Sequence, residues 1–120
     1  MKELSRAEAT YTIADRVMGW WATNNGWWAE KGTNHNIIKD DDYNPFADDQ
    51  LHRCFEALEK WNNTVSNSVE IEYTGRWCVR CYDRFTMVAI KSGCQSLNVA
   101  IITALCSAVL GCQATIKEEV

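Results

Sequence analysis

The stretch Val99-Ala100-Ile101-Ile102-Thr103-Ala104-Leu105-Cys106-Ser107-Ala108-Val109-Leu110 decides how the rest of the chain must be arranged. It contains neither Gly nor Pro, and its residues are good or acceptable helix formers. It is too short to span a bilayer, whose hydrocarbon core takes about 20 apolar residues. Ile101, Leu105 and Ala108 form one line at helical spacing, and Ile102, Cys106, Val109 and Leu110 form a second beside it. An apolar arc that wide predicts a helix covered on most of its circumference. Ser96 is placed to cap it and Gly111 to stop it. The remaining chain is the material that must bury this helix.

Upstream, Ser5 and Glu8 have the spacing of a capping box, and Ala9, Ile13 and Val17 recur at helical intervals. This predicts a first helix over Arg6 to Met18. A second helix is predicted over Asp49 to Trp61, capped by Asp48 or Asp49, with Leu51, Phe55, Leu58 and Trp61 facing inward. Asn62-Asn63-Thr64 ends it. The period then switches to alternation. Val69, Ile71 and Tyr73, then Trp77, Val79 and Cys81, point to one face and predict a hairpin. A loop of Tyr73, Thr74 and left-handed Gly75 sets Ile71 beside Trp77, Val69 beside Val79, and Glu72 beside Arg76. A turn at Asp83-Arg84 leads into a third strand over Phe85 to Ile90, with Val88 opposite Val79 and Ile90 opposite Trp77. Lys91-Ser92-Gly93 closes the sheet.

The chain of 120 residues is long enough for one core, so 1–120 reads as a single domain. Residues 20–49 read as an irregular insertion rich in Trp and Asp. Asn24-Asn25-Gly26 between the two Trp doublets also permits a short hairpin. Residues 113–120 read as a fraying tail. The resulting fold class is α+β: a three-stranded antiparallel sheet packed with three helices. It is α-β-α sandwich-like, in the order helix, helix, strand, strand, strand, helix.

The net charge of −4 argues against direct nucleic-acid binding, which draws its affinity from phosphate neutralisation. Six cysteines permit three disulfides, but Cys54 and Cys106 fall inside predicted helices and no secretory segment precedes them. Free thiols are therefore expected. Cys78-Val79-Arg80-Cys81 lies on a predicted strand, which sends the two thiols to opposite faces and away from any helix N-terminus. Cys94, Cys112, His35 and His52 offer zinc no second pair at a suitable spacing. Asp40, Asp41, Asp42, Asp48 and Asp49 do not follow the alternation of a calcium-binding loop. No catalytic, metal-ligating or cofactor-binding residue is assigned on these grounds.

Two surfaces remain. The five aspartates, with Trp27 and Trp28 as aromatic anchors, are the expected partner-binding residues. Arg76, Arg80, Tyr82 and Arg84 are the expected ligand patch, should the chain bind a small anion.

Three pieces of the sequence carry a likeness. Ala14 to Trp20, including Val17-Met18-Gly19-Trp20, comes first. Tyr43-Asn44-Pro45-Phe46 followed by Leu51 to Trp61 is the second, and Ala100 to Ala108 the third. In this order the chain resembles the phage ABA sandwich domain family, small accessory proteins of phages and prophages. The resemblance implies a sheet packed between helices and a location in the cytoplasm of an infected bacterium, and brings no established enzymatic activity. It suggests a non-enzymatic protein that binds and inhibits a bacterial defence component, such as a CRISPR effector, with no cofactor and no membrane. The alternative is a module that sequesters a small nucleotide signal. A homodimer is also expected, through small residues of the last helix.

Overall fold

Lys2–Leu4 forms a short strand (β1), and Ser5 then starts a helix over Arg6–Thr12 (α1). The capping box is complete, because Glu8 N donates to Ser5 Oγ at 3.0 Å and Ser5 N to Glu8 Oε1 at 3.1 Å. The Ser5 N–H bond to the carboxyl, and after it the Ser5 hydroxyl beside the carboxyl, hold Glu8 below its ordinary range. The helix does not run on regularly to Met18. Over Ile13–Val17 it widens into a π turn, closed by Met18 N donating to Ile13 O at 2.9 Å. The computed structural model describes residues 1–63 and 66–117.

The predicted irregular insertion is instead a regular meander. Trp20–Ala22 (β2), Trp27–Glu30 (β3) and Asn36–Lys39 (β4) make an antiparallel sheet in sequence order. Asn24-Asn25-Gly26 turns the first hairpin, with Gly26 at φ +77°. Strand alternation sends Trp20 and Trp28 inward, where they form a small core of their own with Ala14 and Tyr43. Two single-turn 3-10 helices follow, at Asp40–Asp42 and Asp48–Gln50.

The second helix is Leu51–Asn62 (α2); Thr64, next to its end, lies outside the described residues. Gln50 occupies the cap without a side-chain bond, so neither Asp48 nor Asp49 caps it. Its buried residues are Cys54, Ala57 and Leu58, while Phe55 is 44 % exposed. Small side chains on the inward line let α2 sit close against its neighbours, and Phe55 is left at the flank.

Asn67–Tyr73 (β5), Trp77–Asp83 (β6) and Thr86–Cys94 (β7) form the main antiparallel sheet in sequence order. The predicted faces hold for β5 and β6 although their register differs, whereas β7 is turned over: Ala89 lies on the buried Val79 side, and Val88 and Ile90, expected there, are exposed. Tyr73 pairs with Trp77, Ile71 with Val79 and Val69 with Cys81, so the loop is Thr74-Gly75-Arg76. The Tyr73 and Trp77 rings, 4.7 Å apart, close the ladder, and the three-residue loop lies one residue further along the chain than predicted. At the next turn Asp83 pairs with Thr86, and register shifts between β6 and β7 place Ala89 opposite Cys81 and Lys91 opposite Val79. β7 therefore continues past Ile90 to Cys94.

Leu97–Leu110 (α3) is the predicted last helix, with Ser96 Oγ accepting from Val99 N and Gly111 left-handed at φ +69°. It packs on β6 and β7 on one side and meets α1, α2 and the π turn elsewhere. Every residue from Ala100 to Ser107 is buried. Of the small residues expected at a dimer contact, Ala104 and Ser107 are closed within the chain and Ala108 is half-buried.

Ala114–Ile116 (β8) corrects the expectation of a fraying tail up to that point. It pairs in parallel with β1, Lys2 opposite Ala114 and Leu4 opposite Ile116. Ala114 is buried, and its N–H donates to Ser107 Oγ at 2.9 Å. Residues 118–120 lie outside the described residues.

The fold is mixed α+β with three α-helices and antiparallel sheets among the described residues. The layering departs from a sandwich with the sheet in the middle. Val79, Cys81 and Ala89 face α3, whereas the opposite sheet face, carrying Glu70, Glu72, Arg80 and Ile90, has no helix over it among the described residues. The helix α3 is the middle layer. Its apolarity on all sides is the reason: a sheet can be left bare on a polar face, but this helix has no polar face.

Candidate functional site

The five aspartates lie at one corner of the molecule, on the two 3-10 turns that link the Trp meander to α2. All five are exposed, and among the described residues none takes part in an ion pair. The segment between the two turns is pinned from below. Tyr43, Pro45 and Phe46 are buried, and the Asn98 side-chain amide donates to Pro45 O at 2.8 Å and Ala47 O at 3.0 Å. Asn44 N donates to Gln50 Oε1 at 3.0 Å, and Asp40 N donates to Gly26 O at 3.0 Å. The carboxylates are therefore displayed from an ordered frame rather than diluted over a loose loop.

Against this corner lies a groove of about 340 Å³, walled by Tyr11, Trp28, Asp40, Asp41 and Tyr43. Tyr11 is 53 % exposed and its ring lies 5.6 Å from that of Trp28. Tyr43 is buried, and its hydroxyl finds no hydrogen-bond partner among the described residues. Burial raises the Tyr43 pKa well above the ordinary phenol range, so the group keeps its proton. Arg6 also borders the groove, with its guanidinium 5.1 Å from the Phe46 ring centroid. An aromatic face beside two carboxylates is chemistry suited to an ammonium or guanidinium group.

The two expected anchors part company. Trp28 is only 5 % exposed and belongs to the small core, so it reaches the groove as wall and not as an anchor. Trp27 is half-buried beneath Lys39, whose Nζ stands 5.7 Å from its ring centroid. Tyr11, which sequence reasoning left unused, is the exposed aromatic of the site. Its only signal in the sequence is a tyrosine set between Ala9 and Ile13, off the apolar line of α1.

The expected ligand patch does not come together. Arg76 and Arg84 stand at opposite ends of β6, about 25 Å apart along an extended strand. Arg80 is engaged by Glu72 at 3.0 Å and Glu70 at 4.0 Å, and Tyr82 donates to Glu70 Oε1 at 2.7 Å. Cross-strand pairing with Glu70 and Glu72 thus neutralises the centre of the stripe.

No family model, no curated protein and no solved structure matches this chain. What its surfaces can bind follows from their own chemistry.

Among the described residues none of the cysteines is bonded to another. Cys78 is half-buried and Cys81 fully buried, as strand alternation requires. Burial pushes the thiols of Cys54, Cys81 and Cys106 up to about 12, so all three are protonated at neutral pH. The Cys54 thiol donates to Pro45 O at 3.1 Å, a second tie beneath the acidic corner. Among the described residues no three His, Cys, Asp or Glu side chains stand together as metal ligands. Likewise, no helix is long and apolar enough to cross a membrane.

Proposed function

We propose that this chain is a non-enzymatic binding protein whose acidic corner engages a basic surface of a protein partner. The observation that carries the reading is the groove in which Asp40 and Asp41 stand beside the exposed Tyr11 ring. A lysine or arginine of the partner would lay its charged end between the two carboxylates and its stem against Tyr11. Asp42, Asp48 and Asp49 extend the negative field and steer a basic partner toward the groove.

The specific form proposed is the one suggested by the resemblance to phage ABA sandwich proteins. In it, the protein acts in the cytoplasm of an infected bacterium and inhibits a defence component, such as a CRISPR effector. Such effectors hold nucleic acid in positively charged channels, surfaces that an ordered acidic corner would complement. The test is affinity capture from a bacterial host carrying several defence systems, together with phage plating. Recovery of a defence component and improved plating on expression would support the reading. Recovery of none, with plating unchanged, would refute it.

A further inference from the structure

A second cleft, of about 490 Å³, opens on the other side of Arg6. Arg6 on α1, Arg76 in the turn before β6, Lys91 on β7 and Lys117 just beyond β8 all border it. Its lining contains no Asp or Glu, and among the described residues none of the four cations takes part in an ion pair. Cations brought together from four separate parts of the chain repel one another unless a negative group lies between them. The first turn of α3, capped by Ser96, forms another part of the wall. This helix has 14 residues, so its first N–H groups add the partial positive charge of a full helix end.

The cleft floor supplies an independent observation. Thr103 lines it, is only 1 % exposed, and its hydroxyl has no hydrogen-bond partner among the described residues. Buried hydroxyls are ordinarily satisfied, and a Thr in a helix has the carbonyl one turn back within reach. Here the hydroxyl leaves that option unused. Val99 and Ile116 add apolar wall between the charged groups. The volume lies in the range of small-molecule sites, about 300–1,000 Å³.

We propose that this cleft binds a small phosphate-bearing molecule, with the cations and the α3 N-terminus holding the phosphate and Val99 and Ile116 contacting the remainder. The proposal is independent of the acidic corner: the two sites share only Arg6 as a border. It also differs from the outer-face arginine patch, because Arg80 and Tyr82 take no part.

Calorimetric titration of the whole protein with inorganic phosphate, pyrophosphate and ADP tests it. ADP is expected to bind at least tenfold more tightly than inorganic phosphate, because the apolar wall adds contacts that phosphate cannot make. Arg76→Gln combined with Lys91→Gln should weaken ADP binding at least tenfold while leaving the thermal melt unchanged. Should that variant fail to fold, NMR of the native protein locates the ligand directly: ADP should shift the amides of Gln95 to Val99 and Thr115 to Lys117. No binding at millimolar ligand, equal weak binding of all three probes as adventitious ions only, or shifts confined to other segments would overturn the proposal.

Discussion

The Asn98 side chain, buried in the first turn of α3, donates at once to the carbonyls of Pro45 and Ala47. A residue in the middle layer of the fold thereby fixes the backbone between two acidic turns that are distant from it in sequence. Removing the amide leaves the half-buried Ala47 carbonyl without its donor and the buried Pro45 carbonyl with only the Cys54 thiol. Asn98→Ala should therefore cost about 1–3 kcal/mol, read from denaturant unfolding. An unchanged midpoint would show that the corner is not held from below.

Tyr11 and Trp28 touch, yet their roles separate. Tyr11→Ala should weaken partner binding and change stability little, because the side chain is largely exposed. Trp28→Ala removes a buried ring and should cost about 3–5 kcal/mol. Paired melts and binding curves check both. Equal stability losses would contradict the division into contact and core.

The parts of this fold that were legible in the sequence are those fixed by local chemistry. Ser5 with Glu8, Ser96 and Gly111 mark helix ends because their bonds close within a few residues. The faces of β5 and β6 were legible because alternation is a property of each strand alone. Register was not, since the Tyr73 and Trp77 contact that closes the ladder lies across the turn. The β1 and β8 pair was invisible for a stronger reason: each strand has three residues, and their partners sit at opposite ends of the chain. The Trp doublets hid the meander, because an inward and an outward ring in succession mask alternation. The cationic cleft left no trace, since Arg6, Arg76, Lys91 and Lys117 share no sequence neighbourhood.

Burial makes the thiols of Cys54, Cys81 and Cys106 harder to ionise than in an unfolded chain, whose thiols ionise near 9.0. Above that pH the unfolded state holds fewer protons than the native one, so stability falls as pH rises. The contribution is whole below about pH 9 and is lost on approach to about 12. Thermal melts should therefore drop between about pH 9 and about pH 12. In Cys106→Ala, measured against the native chain, that drop should shrink. A flat profile would contradict the burial of these thiols.

A chain ending at Cys112 loses β8, the cover over Leu4 and the donor to Ser107 Oγ. The loss of several backbone bonds and of buried apolar area should destabilise the fold by about 2 kcal/mol or more. An unaltered melting temperature would show that the parallel pair contributes nothing.

Binding of a defence component by the acidic corner is tested most directly by charge neutralisation in a cell with active CRISPR interference. The native chain and a variant with Asp40, Asp41, Asp42, Asp48 and Asp49 all changed to Asn are expressed in parallel, with melts confirming that both fold. The native chain should restore plating of a targeted phage, and the variant should not. Equal plating with the two folded proteins, whether restored or not, would contradict a role for the corner.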